Sequence, residues 1–282
     1  MNPKSEKSGI LYIVATPIGN LDDITERAIK TLTEVDLIAC EDTRHSGRLL
    51  ANYGIKNRLM SFHQHNENES SNKFIDLLLQ GNDIALISDA GTPLISDPGY
   101  PLVNKAHQED IKVVPIVGAC AIIALLSCSG LPTISFQFQG FLSAKTQQRQ
   151  QQLQLIAENT STTIIYESTH RILKCLQDML EILGEDRKIS VGRELTKTFE
   201  TIKLGTVSEI KHFIESDSNQ QKGEFVIAIS GSQVIEKNDV TDQQKQLMTL
   251  LAKELPPKKA AKITAEFLKG KTKAIYNYFL QK

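Results

Sequence analysis

Carboxylates, imidazoles and glycines gather at four points of this sequence, and each point directly follows a short apolar run. Residues 10–15 are followed by Thr16-Pro17-Ile18-Gly19-Asn20-Leu21-Asp22-Asp23, and residues 36–40 by Glu41-Asp42-Thr43-Arg44-His45. Residues 58–62 are followed by His63-Gln64-His65-Asn66-Glu67, and residues 83–88 by a turn that runs from Asp89 to Gly99. Glu41, Asp42, His45, His65 and Glu67 are groups able to take or hold a proton, as are Lys145, Glu167 and His170 further along. The turn at 89–99, DAGTPLISDPG, does something different: its two glycines and two prolines fix an open backbone whose amides and carbonyls face a ligand. On composition alone it reads equally well as an ordinary strand-to-helix turn with Ser96 or Asp97 capping the next helix. Neither GxGxxG nor a P-loop pattern occurs, which argues against nicotinamide and P-loop chemistry.

For these loops to share one place, the runs before them must lie side by side. Apolar runs at 10–15, 36–40, 58–62, 83–88 and 112–116 alternate with helical spacing at 24–35, 46–53, 67–79 and 100–108. That is the pattern of a mostly parallel sheet flanked by helices, in which ligands gather beyond the carboxyl ends of the strands. From Gly118 the rhythm loosens into a helix to Ser129, a strand at 134–138, a glutamine-rich helix at 146–158, a strand at 162–166 and a helix at 168–183. The runs 188–191, 198–203 and 224–229 lack long crossovers between some neighbours, which predicts antiparallel pairing. Residues 232–244 read as a polar linker, and a basic tail follows in which Gly270 separates helices at 256–269 and 272–280. The predicted class is α/β: an N-terminal domain over 1–117, a mixed-sheet domain over 118–231, and a linker with a helix-turn-helix-like module over 232–282.

Composition narrows the function classes. The chain has 282 residues and a formal net charge of -1, so RNA affinity has to come from local patches rather than from the whole molecule. Cys40, Cys120, Cys128 and Cys175 form no CxxC pair and sit in apolar segments, which reads as buried, reduced thiols and no metal site. Residues 1–9 are polar and charged, with no apolar stretch of signal-peptide length, so a cytoplasmic location is expected. Residues 113–144 carry no formal charge but are punctuated by Pro115, Gly118, Gly130 and Pro132; with a mean hydropathy of -0.21, a core helix between buried strands is expected rather than a membrane span.

The order of the motifs carries a resemblance. VATPIGNLDDIT (14–25), EDTRH (41–45), HNE (65–67), SDAGTPLISDPGYPLV (88–103), GACA (118–121), SGL (129–131), GFLSAK (140–145), YESTHR (166–171), REL (193–195) and KGEFV (222–226) together resemble the ribosomal RNA small subunit methyltransferase I family. That family is similar to the tetrapyrrole methylase superfamily, whose two α/β domains enclose S-adenosylmethionine, and the likeness runs nearly end to end. Val117 and Ser143 stand where the pattern usually has proline, which puts loop geometry in question rather than reactive groups.

The resemblance implies 2'-O-methylation of a cytidine ribose in 16S rRNA, S-adenosylmethionine as cofactor and a homodimer. It places the methionine end of the cofactor on Asp89, Ala90, Gly91, Thr92 and Leu94 with Ala119 and Cys120, puts Pro17 and Gly19 at the pocket border, and sets adenine toward Tyr166 and residues 224–226. Lys145, Glu167 and His65 are the candidate catalytic groups, Lys145 only if burial lowers its pKa. Glu167 with Arg171, and Asp42 with Arg44, read equally as structural ion pairs. Arg44, His45, Arg171, Arg193, Lys197, Lys258, Lys259 and Lys271 are the candidate RNA contacts, with solvated surface charge as the bland alternative. Two other functions remain open: a tetrapyrrole methylase with the same cofactor loops, and a non-catalytic RNA-binding assembly factor.

Overall fold

Leu37-Ile38-Ala39-Cys40 and Ile84-Ala85-Leu86-Ile87 are apolar and buried at every position, as strands covered on both faces must be. In the computed structural model, which describes residues 8–64, 67–232, 240–268 and 270–280, they are the second and fourth strands of a parallel sheet. The strands are β1 (Ile10–Val14), β2 (Leu37–Cys40), β3 (Leu59–Ser61), β4 (Ile84–Ile87) and β5 (Lys112–Ile116), in the order β3-β2-β4-β1-β5. Leu37, Ala39, Ile84 and Leu86 pack on Phe74 and Leu78 of α3 (Glu67–Leu79) and Leu102 of α4 (Tyr100–Gln108). The alternate residues Ile38, Cys40, Ala85 and Ile87 pack on Ala28 and Leu32 of α1 (Glu26–Glu34) and Leu50 of α2 (Thr43–Asn52). Neither Ser96 nor Asp97 caps α4: its N-cap is Gly99, whose N–H donates to Glu67 Oε2 at 3.1 Å.

The second sheet has the order β6-β7-β10-β8-β9, built from β6 (Phe136–Phe141), β7 (Thr162–Ser168), β8 (Lys188–Arg193), β9 (Thr201–Thr206) and β10 (Glu224–Ile229). β6 and β7 are parallel and the other pairs antiparallel, so the sheet is mixed. One face packs on α6 (Thr146–Glu158), α7 (Ile172–Leu183) and α8 (Val207–Ser216) through Leu153, Leu176, Met179 and Ile210; the other receives α5 (Ala121–Cys128) through Leu125 and Leu126. α8 lies in a stretch with no sequence-based assignment, and a capping box between Thr206 and Glu209 starts it. The uncharged stretch 113–144 becomes β5, α5 and β6, and no described helix is long and apolar enough to cross a membrane. Cys40 and Cys175 are buried as expected, but Cys120 is partly open and Cys128, at the end of α5, is exposed.

Contacts divide the chain into Met1–Ser232 and Gln233–Lys282. The C-terminal unit holds α9 (Asp242–Leu251), α10 (Pro257–Phe267) and α11 (Thr272–Leu280) around Met248, Ala260, Ala261 and Ile275. The stretch read as linker therefore ends earlier than composition suggests, because Thr241 and Gln244 form a capping box that starts α9.

Candidate active site

β1 and β4 are neighbours, so the loops that follow them meet. Thr16 and Gly91 exchange both backbone hydrogen bonds, at 2.9 and 3.1 Å, and the Thr16 hydroxyl donates to Ser88 O at 3.2 Å. Thr92 Oγ1 donates to Ala119 O at 3.0 Å, which fastens the β4 loop to the turn before α5. Gly91 has a φ of +82°, and a Cβ there would sit 3.2 Å from Ile18 Cγ2, so both conformation and space favour glycine.

Between these loops and the α5 side of the second sheet lies a cavity of about 400 Å³. Its apolar wall includes Ile18, Ile95, Ala121, Leu195 and Val226, and its polar groups include Asp89, Asp97, Tyr166 and Lys197. A cavity of this size, mostly apolar with a few polar groups, suits a nucleoside-sized ligand. Gly192 also faces it, and a Cβ there would meet Leu195, Leu125 and Val226 at 3.0 to 3.1 Å. At one rim the β1 turn rests on Lys197, since a Cβ on Gly19 would lie 2.3 Å from Lys197 Cγ. Lys197 Nζ pairs with Glu194 at 3.0 Å and Glu224 at 2.8 Å. Burial works to lower its pKa, yet the bonds to Glu224 and Glu194 leave it raised.

Strain brackets the cavity on both sides. Leu94 and Ser96 have φ of 71° and 69°, and on the other side Glu194 and Thr196 have φ of 50° and 65°. Each such residue costs on the order of 1–3 kcal/mol and persists only where its surroundings impose it. Charge is also held against its preference here. Burial first, then the charges of Glu41 and Asp89, push the Asp97 carboxyl up to about 6 against an opposing hydrogen bond from Ser88. Glu41 is raised as well, by burial and then by Asp89. The Tyr166 phenol is pushed far up, mainly by burial and then by Cys120 and Asp97.

Of the residues expected to hold a cofactor, Asp89, Ala90, Gly91, Thr92, Cys120 and Tyr166 line the cavity. Pro17, Gly19, Leu94 and Ala119 do not: Gly19 forms the rim, Ala119 contributes the carbonyl held by Thr92, and Leu94 packs into the core of the first sheet. Pro17 is buried beside Thr16.

The expected catalytic groups are not brought together. Strand parity sets Glu167 opposite Phe225 and Tyr166 opposite Val226. Glu167 is among the residues that line the cavity, but Phe225 belongs to the α6–α8 core and Val226 with Tyr166 to the cavity side, so strand parity turns the Glu167 carboxylate toward the core. There it pairs with Arg171 at 2.8 Å. Lys145 is exposed, outside the cavity lining, at the N-cap of α6. His65 lies outside the described residues. Asp97, which sequence reasoning treated as a cap, was missed as a cavity group because an Asp-Pro-Gly before a helix looks like punctuation.

The basic candidates also separate. Arg44 and His45 are exposed at the start of α2, where Asp42 accepts from both their N–H groups, at 2.7 and 3.3 Å, and has its pKa lowered by those bonds. Arg193 is buried and donates to Lys222 O and Phe199 O at 2.6 and 2.9 Å, so it braces β8 rather than meeting phosphate. Arg171 donates to Leu142 O and Ser168 Oγ, both at 3.2 Å, besides pairing with Glu167. Lys197 is spent on its two carboxylates, while Lys258, Lys259 and Lys271 are exposed on the C-terminal unit.

Comparison with known proteins places these observations. Residues 10–211 match the Tetrapyrrole (Corrin/Porphyrin) Methylases, and residues 238–282 match the RsmI C-terminal HTH domain. The chain is 50% identical over 277 residues to "Ribosomal RNA small subunit methyltransferase I" of Haemophilus influenzae, covering 98% of each chain. It is 48% identical to the protein of that name in Escherichia coli O157:H7, covering 97% of this chain and 95% of the relative. Among solved structures, a cobalt precorrin-4 methyltransferase aligns with a TM-score of 0.58 at 16% identity, covering 81% of this chain and 97% of that one. A diphthine synthase aligns with a TM-score of 0.59 at 13% identity, covering 79% and 90%. At those identities the structural likeness speaks to the fold alone.

Proposed function

The chain belongs to the tetrapyrrole methylase family, and within it to the ribosomal RNA small subunit methyltransferase I family, which makes it a methyltransferase; we propose that it methylates a cytidine ribose 2'-hydroxyl in 16S rRNA of the small ribosomal subunit. The observation that carries this reading is the roughly 400 Å³ cavity at the carboxyl ends of β1 and β4, bounded by loops from both sheets.

S-adenosylmethionine fits the residues present. The amide-rich Ala90–Thr92 backbone and Cys120 suit the amino-acid end, while Tyr166 and Val226 offer a flat apolar surface to adenine. Asp89 and Asp97 form no ion pair among the described residues, so their charge is free to favour a cation in the cavity. Bound there, the cofactor supplies an activated methyl group. The chain's own contribution is alignment and exclusion of water: Ile18, Ile95 and Leu195 close the apolar wall, and the Gly19–Lys197 contact closes a rim.

RNA affinity comes from local charge, through Arg44 and His45 on the cavity-bearing unit and Lys258, Lys259 and Lys271 on the C-terminal unit. The reading includes a cytoplasmic homodimer, for which the exposed Ile202 and Leu204 on the edge strand β9 offer apolar surface. Mass-spectrometric mapping of ribose methylation in small-subunit RNA, with and without this protein, tests the proposal. A ribose modified only in its presence supports it, and unchanged RNA from an enzyme that binds the cofactor normally defeats it.

A further inference from the structure

The methyl-transfer reading lacks a group to receive the proton of an alcohol acceptor, and the geometry narrows the choice. Glu167 faces the opposite side of its sheet, Lys145 stands outside the cavity, Glu67 is engaged with the Gly99 N–H, and Asp42 caps α2. Four acidic residues line the cavity: Glu167 turns its carboxylate into the core, Glu224 pairs with Lys197 at 2.8 Å, Asp89 Oδ1 accepts from the Asp42 N–H at 3.3 Å, and Asp97 is the fourth. Asp97 has neither of the ordinary duties open to it: it caps no helix and makes no ion pair among the described residues.

Its backbone setting is costly. Ser96 immediately before it is held at a φ of 69°, Leu94 at 71°, and Gly99 beyond Pro98 at 142°. Strained non-glycine residues such as Leu94 and Ser96 cluster at functional sites, where the surroundings hold them in place. Glu41 after β2 and Asp89 after β4 face Asp97 with like charge, the Ser88 hydroxyl, which donates to Ala90 O and Gly91 O at 3.3 Å, lies near it, and the Tyr166 phenol lies close enough to feel its charge.

Resting on the ribose-methyltransferase reading, we propose that Asp97 is the catalytic proton acceptor. As the ribose oxygen forms its bond to the methyl carbon, the carbon–sulfur bond breaks and its electron pair stays on sulfur. The hydroxyl proton passes to the Asp97 carboxylate and from there to water. A carboxyl pushed up to about 6 suits the task, because its two protonation states lie close in energy near neutral pH.

The test has two arms. In single-turnover methylation across pH, Asp97→Asn is expected to lower the rate about 100-fold, within the usual range for a general base, and to abolish the acid limb, which the bound cation moves below the pH of about 6 at which the carboxyl titrates without donor. Independently of turnover, calorimetric titration of S-adenosylmethionine at pH 6, in two buffers of different ionisation enthalpy, is expected to show proton release. A cation arriving beside Asp97 favours its ionised form, so Asp97→Asn should bind the donor with that release lost, and the wild type should show none at pH 8. A variant that keeps the wild-type rate and acid limb, or the same proton release, overturns the assignment of Asp97 while leaving the methyltransferase reading standing. A wild type that binds no donor at all removes that reading, and the assignment with it.

Discussion

Glu167 and Arg171 meet at 2.8 Å across the turn that joins β7 to α7, with the carboxylate side chain fully buried and the guanidinium a quarter exposed. Arg171 also holds Leu142 O and Ser168 Oγ, so the pair ties the end of β6 to the end of β7. Arg171→Ala strands a buried charge and should destabilise the fold by about 3–5 kcal/mol. Urea unfolding measures this, and donor affinity per folded molecule should stay near wild type.

Gly91→Ala combines a left-handed φ of +82° with a Cβ at 3.2 Å from Ile18. The expected result is about a tenfold weaker affinity for S-adenosylmethionine by calorimetry, the equivalent of about 1.4 kcal/mol of displaced loop. Thermal stability should fall only slightly.

Tyr166 sits edge-on to Phe138, with ring centroids 4.9 Å apart, and presents its ring to the cavity. If adenine lies on it, Tyr166→Ala should cost about 1–3 kcal/mol of donor affinity, the range for base–aromatic stacking. Tyr166→Phe should cost far less, and equal losses in the two variants would point to the hydroxyl instead.

Lys258 and Lys259 stand exposed in the first turn of α10. Replacing both with alanine should flatten the dependence of log affinity for single-stranded rRNA on log salt by roughly 0.7 per lost phosphate contact. An unchanged slope would mean that these lysines only solvate the surface.

Asp97 also makes a prediction about stability. Its folded pKa of about 6 lies above the ordinary 3.8, so the folded state binds a proton more tightly, and the stability this confers is lost as pH rises through about 6. Asp97→Asn should therefore melt higher than wild type at pH 8, on the order of 2–4 °C for each kcal/mol relieved, and show a smaller gain near pH 4. A reactive group kept at the expense of stability behaves in this way.

The first sheet was legible because its strands and helices keep their separate periods: β5, α3 and α4 fall on the predicted residues. The second sheet was legible in class but not in parity. Thr162 to Ile165 are buried on both faces, so no alternation in β7 signals that Tyr166 faces the cavity and Glu167 the helices. α8 escaped notice because it follows β9 without an intervening loop, although Thr206 and Glu209 spell its capping box. At the cavity, the glycine turn was read from composition, whereas the start of α4 at Gly99, whose amide Glu67 takes from 32 positions away, leaves Asp97 outside the cap, and no local pattern announces that.

The paired backbone bonds between Thr16 and Gly91 make the loops after β1 and β4 a single mechanical element. Neither can lift from the sheet without exposing the amide of the other, so both share one local opening equilibrium. A molecule seated on the fourth-strand turn is thereby registered at the amino-terminal turn, and occupancy of the crevice reaches the Gly19 rim through two hydrogen bonds rather than through a moving domain.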